Sequence, residues 1–348
     1  MPAIRNLVLW CTLLWSNLAL LSSQAIAQEE LIFNVFIPRP APLYKDGLEP
    51  WARAVEEASN GELRILIPTA SLAPPPKQYD IVLDGVADIS VAPIAFQRKT
   101  LGLDLVAGIP QIASTARGAS VAAWQTHEAF LAETGQWEDL VPLTIFTLGA
   151  PAILSNADPV QSADDLQGFK VLAVGKDKID TWINLGGTPV GGTGQRPFEM
   201  VSSGVVDGLT NPLGTAVTQG LLETTNSVTL VPGGMGGRAV FALFINRERF
   251  EGLSPEGQAA LISMSGATLA ADLGGIMDRI DASGQKQFEE AGIALNSASP
   301  AFIAEIAAAG AHIEAAWKSL AEENGIDAAA ALAHFRRIAG EDEALARD

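Results

Sequence analysis

Cysteine is almost missing: the 348 residues hold one, Cys11, inside an apolar leader. Once exported, the chain is expected to carry no disulfide, no thiol nucleophile and no thiolate metal ligand. Histidine is nearly as scarce. His127, His312 and His334 all fall in stretches of helical periodicity. No G-x-S-x-G, H-E-x-x-H or P-loop string occurs, so little is left for nucleophilic or metal-assisted catalysis, and no metal and no cofactor is expected. Positive charge is short too. The 22 basic residues face 40 acidic ones, a net charge of −18, which speaks against a nucleic-acid partner and suits solubility in an exported compartment.

The leader itself, MPAIRNLVLWCTLLWSNLALLSSQAIAQ, has one positive charge at Arg5, an apolar run from Leu7 to Leu21, and Ala25-Ile26-Ala27 before a polar start. That is the pattern of a secretory signal peptide over residues 1–27. A membrane anchor is the alternative, but it needs roughly 20 apolar residues, and Ser16 and Asn17 interrupt the run. No later stretch of membrane-spanning length free of charge is anticipated, so the exported chain is expected to have no direct membrane anchor. It must be held by its core alone, and its length suits two lobes.

After the leader, LIFNVFIP (Leu31–Pro38) reads as a strand buried on both faces. Asp46 to Ser59 has helical spacing and stops at Asn60-Gly61. ELRILIPT and then YDIVLDGVADISVAP continue the alternation, which argues for an α/β fold with parallel crossovers. Ligands in such sheets sit beyond the carboxyl ends of the strands. This makes Pro38-Arg39, Pro93 to Gln97 and Ile109-Pro110 the candidate rim of a first lobe. Ala116 to Thr134 is predicted as a helix, and Leu143–Asn156 as one long strand with Pro151 as a bulge or edge signal, passing from one lobe to the other.

The densest signals lie in Asp165–Pro212, and its last part repeats an earlier stretch. Laying Tyr79–Pro93 over Phe198–Pro212 matches Val82 with Val201, Gly85 with Gly204, Val86 with Val205, Asp88 with Asp207 and Pro93 with Pro212. Each copy reads as a short helix, a glycine reversal, an aspartate bonding the turn backbone and an outgoing strand. Chance similarity of two helix-turn-strand units is the alternative. If the repeat is structural, two lobes of like construction end their strands at a shared cleft. The glycines of Gly233–Gly237 suit either a mobile surface loop or a second interlobe crossing that must bend. Ser254-Pro255-Glu256 starts a helix that can run on to Glu290 as a rod along both lobes. Ala301 to Arg347 is predicted as terminal helices.

Taken in order, W-ARAVEEASNGELRI, YDIVLDGVADI, DDLQGFKVL, LGGTPV, SSGVVDGLTNP and FINRERFEGLSPEGQAAL resemble the DctP-like periplasmic solute-binding proteins of TRAP transporters. The resemblance implies a two-lobed periplasmic binding protein fold with crossing strands and a long helix spanning both lobes. It also implies a small organic solute, such as an organic acid, enclosed by lobe closure, and delivery to small and large integral membrane subunits driven by an ion gradient. Residues 28–148 with 235–265 would form lobe 1, 149–234 with 266–298 lobe 2, and 299–348 helices packed on the lobes. Hinge motion would fall at Leu148, Gly149, Gly233, Gly234, Gly236 and Gly237.

Two departures bear on the ligand. Carboxylate-binding members carry arginine in the strand after the DL-G turn, where this chain has Leu172. A second arginine of the family falls at Pro151. A carboxylate then needs another cation, and Arg196 and Arg238 are the candidates, with Lys176 favoured as a solvated surface charge. Asn211 and Gln195 are candidate polar contacts, and Phe36, Phe96, Phe146 and Phe198 candidate cleft walls, although aromatics in such strands are more often core. An exported enzyme working through carboxylates, and a subunit presenting ligand to a membrane receptor, are the alternatives.

Overall fold

The structure, a computed structural model, describes residues 28–191 and 196–345. The expected signal peptide and Gln195 lie outside the described residues. Short apolar runs between glycine and proline breaks become strands, and the amphipathic stretches between them become helices. The first half holds β1 (Glu29–Asn34), α1 (Glu49–Ala58), β2 (Leu63–Leu66), α2 (Gln78–Leu83), β3 (Ile89–Pro93), α3 (Ala116–Thr126) and β4 (Leu140–Thr147). The chain then crosses to β5 (Ala152–Ser155), β6 (Lys170–Ala173), α4 (Lys176–Asn184), β7 (Thr188–Gly191), α5 (Pro197–Ser202), β8 (Gly208–Asn211), α6 (Leu213–Thr218) and β9 (Ser227–Leu230). It returns through β10 (Val240–Asn246), α7 (Arg247–Glu251) and α8 (Pro255–Ser263), and ends with α9 (Gly266–Glu290), β11 (Ala294–Ser297), α10 (Pro300–Glu323) and α11 (Ala328–Leu345).

These strands form two sheets, in the orders β2-β1-β3-β10-β4 and β11-β9-β5-β8-β6-β7. The expectation of parallel crossovers holds for β1 with β2 and β3 and for β6 with β7 and β8. It fails where the chain changes lobe. β10 is antiparallel to both β3 and β4, and β5 to both β8 and β9. The reason is directional: β5 and β10 arrive from the junction, whereas their neighbours run toward it. The single strand expected over Leu143–Asn156 is therefore two strands, one in each sheet, with Leu148 to Pro151 as the passage between them.

The internal repeat is structural. In both copies the short helix ends at a glycine of positive φ, 68° at Gly85 and 72° at Gly204, where any side chain would be strained. Val86 and Val205 are both exposed, while Ala87 and Val206 are both buried. The aspartate does something other than bond its own turn. Asp88 accepts from the Ile32 amide at 2.6 Å and Asp207 from the Lys170 amide at 2.8 Å. In return the amides of Asp88 and Asp207 donate to the Ile32 and Lys170 carbonyls. Each aspartate thus closes a two-bond clamp on the neighbouring parallel strand, which sets the register of the sheet in its lobe.

Two helices bind the lobes together. The helix expected from Ser254 to Glu290 is broken at Met264 and Ser265, and restarts at Gly266 with φ 70°. A side chain at Gly266 would start 3.2 Å from the Trp124 indole nitrogen. Pro255–Glu290 as a whole is apolar enough by length and composition to cross a membrane, but Asp272 interrupts its apolar run and half of that apolar window is buried in the protein. Along α9, Leu269, Leu273, Ile276 and Met277 pack in the core of the first sheet and Phe288 in that of the second. In the opposite sense α10 places Phe302, Ile306 and Ala309 against the second sheet, and Trp317 in the first-lobe core with its indole nitrogen donating to the Leu103 carbonyl at 2.8 Å.

The clamp reading makes Asp207→Ala lower unfolding stability by about 0.5–1.5 kcal/mol, the range for an ordinary intramolecular hydrogen bond at a solvent-exposed amide, with Asp207→Asn costing less because an acceptor oxygen remains. Urea unfolding of the two variants checks this, and equal stability of wild type and Asp207→Ala would show that the clamp contributes nothing.

Candidate functional site

The carboxyl ends of β1, β3, β4, β6, β8 and β9 all point to the junction of the lobes, and two chain segments cross there side by side. The Leu148 amide donates to the Ala239 carbonyl at 2.9 Å and the Met235 amide to the Pro151 carbonyl at 2.8 Å. The glycines of the return crossing are a packed passage, not a surface loop. Gly233, Gly234, Gly236 and Gly237 all have φ between 71° and 89°. A side chain on Gly237 would begin 2.0 Å from the Gly108 carbonyl oxygen, and one on Gly234 would begin 2.5 Å from Pro151 Cδ. Pro151, which stands where an arginine was sought, is thus part of the crossing itself.

Arg238 leaves this crossing and is buried. Its guanidinium donates to the carbonyls of Leu148 at 3.3 Å, Ala113 at 3.2 Å and Ser114 at 2.6 Å. Nε has no partner among the described residues. Burial pulls its pKa down, with Asp278, Asp281 and Glu343 opposing. Arg238 ties the outgoing crossing to the segment that leads into α3. A cavity of about 280 Å³ lies beside it, bounded by Ser114, Ala150, Leu213, Asp278 and Asp281.

The two aspartates brace the junction from α9. Asp278 accepts from the amides of Ala116 and Arg117 at 2.7 and 2.9 Å, at the N-terminus of α3 in the first lobe. One turn on, Asp281 accepts from the Gly214 amide of α6 in the second lobe at 3.1 Å. A carboxylate suits a helix N-terminus because unpaired amides and the helix dipole favour negative charge there. Asp281 packs directly on the first crossing: a side chain at Gly149 would begin 1.5 Å from its carboxylate. Burial raises the Asp281 pKa from 3.8 to about 6.

The other residues singled out from sequence scatter. Leu172 is buried among Val201, Val206 and Leu209, and Phe146 is core, its ring 5.6 Å from that of Phe241. Phe36 packs on the first-lobe core, and Phe198 lies against Gly220. Phe96 is exposed on the rim after β3, Arg196 is exposed before α5, and Lys176 pairs with Asp180 on the surface. Asn211 ends β8 at the junction, where its amide donates to Gln219 Oε1 at 2.7 Å.

Two features had no sequence signal. Arg98, after β3 in the first lobe, reaches Asp177 in the first turn of α4 in the second, at 2.5 Å. Both ends are partly solvated, so this latch contributes at most about 1 kcal/mol, compatible with lobes that part and close. Beside it, Lys178 lies with its Cγ 3.7 Å from where a side chain at Gly236 would begin. Burial lowers its pKa, and no acid offsets that effect.

Two α/β lobes joined by paired crossings, with strand ends facing one another across the junction, define a two-lobed solute-binding protein. The model of bacterial extracellular solute-binding protein family 7, DctP, matches residues 33–324. The chain belongs to this family, and it is a periplasmic solute-binding protein. It is 29% identical to a TRAP periplasmic solute-binding protein from Bordetella bronchiseptica, solved with bound (R)- and (S)-mandelate, with a TM-score of 0.82 over 90% of this chain and 99% of that one. A marine metagenome TRAP solute-binding protein specific for aromatic acid ligands, in complex with 3-hydroxybenzoate, is 27% identical, with a TM-score of 0.79 over 90% and 98% of the two chains. A curated relative, the outer membrane transporter protein TsaT of Comamonas testosteroni, is 27% identical over 91% of this chain and 93% of its own length.

Because the folded chain holds the Asp281 proton more tightly than the unfolded chain does, the stabilisation from that proton is complete below pH 3.8 and is lost as pH rises through about 6. Asp281→Asn keeps an acceptor for Gly214 and never ionises. The variant is expected to gain stability relative to wild type across that window, by on the order of 2–3 kcal/mol. Urea titrations at pH 4 and pH 7 measure the difference, and an identical pH profile for both proteins contradicts the assignment.

Proposed function

We propose that this chain captures a small organic acid with an apolar, aromatic body and a single carboxylate between its lobes. It then passes the acid to the small and large integral membrane subunits of a TRAP importer. In this reading residues 1–27 direct export and are removed, the hinge segments are Leu148-Gly149 and Gly233 to Gly237, and ligand favours closure by touching both lobes at once.

The observation that carries the choice of ligand is the scarcity of uncommitted cations at the junction. Leu172 is core, Pro151 belongs to the crossing, Arg238 is spent on three carbonyls and Arg98 is paired with Asp177. A dicarboxylate brought into such a site would leave charge without a partner, at a cost of several kcal/mol. A single carboxylate demands much less. The mandelate and 3-hydroxybenzoate complexes of the two similar proteins support the same class. Binding without conversion is favoured because His127, the one buried histidine among the described residues, is held by Asp104 in the first-lobe core, with Trp137 and Gln136 on the same carboxylate.

A thermal-shift panel tests this directly. Mandelate, 3-hydroxybenzoate or benzoate at one hundred times its dissociation constant is expected to add about 2.7 kcal/mol, a rise of several degrees in Tm. Succinate and glucuronate are expected to give none. Stabilisation by the dicarboxylate or the sugar acid, with no response to the aromatic acids, would overturn the assignment.

A further inference from the structure

An acid enclosed between the lobes needs a cation, and most of those at the junction are already committed. Arg238 donates to three backbone carbonyls. Arg98 is paired with Asp177, and Lys176 with Asp180. Arg39, on the first-lobe rim, donates to the carbonyls of Ile67 and Pro68 and lies over the Tyr44 ring. Lys178 differs from all of these, because its ammonium has no hydrogen bond and no ion pair with any described residue. It is a partly buried lysine in a chain of 40 acidic and 22 basic residues, where an acidic partner would be easy to supply.

The position of Lys178 follows from the local fold. β6 delivers the chain to the junction at Ala173, Gly175 turns it with φ 89°, and α4 starts at Lys176. The face of α4 carrying Lys178 also carries Trp182 and Leu185, which are buried in the second-lobe core, so Lys178 emerges at the inner, junction end of that face. Its stem packs by Gly236 of the return crossing, a glycine already forced by its φ of 76°. The neighbouring Asp177 faces the first lobe through Arg98. Lys178 therefore stands at the floor of the junction, beside the pair that spans it.

We propose that Lys178 is the residue that binds the carboxylate of the captured acid. This rests on the acid-binding reading above. The ammonium is partly stripped of water before ligand arrives, which is the state in which a carboxylate gains most from meeting it. In the absence of ligand the site remains intact because an isolated lysine that loses water can shift toward its neutral form rather than hold an unpaired buried charge. A carboxylate delivered by the ligand restores the charged form and pairs it. The arrangement accepts one carboxylate and no second.

Titration calorimetry on the exported chain, with paired probes, tests the assignment: 3-hydroxybenzoate against 3-hydroxybenzamide, and mandelate against mandelamide. The unmodified protein should bind each acid more tightly than its amide. Lys178→Met should weaken acid binding by about tenfold or more and leave amide affinity unchanged, so that the acid preference disappears. Lys178→Arg should keep most of that preference. Undiminished acid binding by Lys178→Met overturns the proposal, and so does an equal loss for acid and amide, which would mark a packing role. Failure of the unmodified protein to bind either acid overturns the acid-binding reading itself, and that result is seen before any variant is made.

Discussion

The constraint on which the rest of this molecule depends is the lack of room where two backbones and a helix pass one another between the lobes. A side chain at Gly149 would enter the carboxylate of Asp281, one at Gly237 would enter the Gly108 carbonyl, and one at Gly214 would begin 2.2 Å from Ile280. Close approach lets short polar groups act across the gap. Asp278 and Asp281 reach helix N-termini in different lobes from adjacent turns of one helix, and Arg238 reaches three carbonyls at once. The crossings thus make a narrow, polar, backbone-rich joint, while α9 and α10 carry apolar side chains into the cores of both lobes. Such a joint permits rigid lobes to move about a few residues.

Under the proposed reading, that joint also explains why few cations at the junction are left for a ligand. Cations at the junction are drawn into structural work: Arg238 as a strut and Arg98 as a latch on Asp177. A site built this way would discriminate by subtraction. Under the proposed reading it lacks a cation for a second carboxylate. The acidic surface of the protein reinforces this, because an anion is held only where a local cation outweighs the surrounding field.

Much of the architecture was legible in the chain. The repeat of Tyr79–Pro93 in Phe198–Pro212 is visible because a glycine reversal, an aspartate and a proline each answer a local backbone need that few other residues meet. What escaped was set by contacts between distant segments. The helix breaks at Met264–Gly266, where Gly266 comes close to Trp124, and no local pattern records that approach. Direction reversal splits Leu143–Asn156 into strands of two sheets, although Pro151 marked the place. Arg238 was singled out as a candidate ligand contact, and nothing in its neighbours along the chain shows that the carbonyls of Ala113, Ser114 and Leu148 converge on it. Lys178 reads as one more charge on an amphipathic helix, and only the fold brings it to Gly236.

The central claim is that an acid is captured by closure of the lobes about this joint. Small-angle X-ray scattering of the exported chain, recorded without ligand and at saturation with the aromatic acid that raises its Tm most, tests it most directly. The account predicts a smaller radius of gyration in the saturated sample, because ligand contacts drawn from both lobes favour the closed arrangement. An unchanged scattering profile at saturation would contradict it.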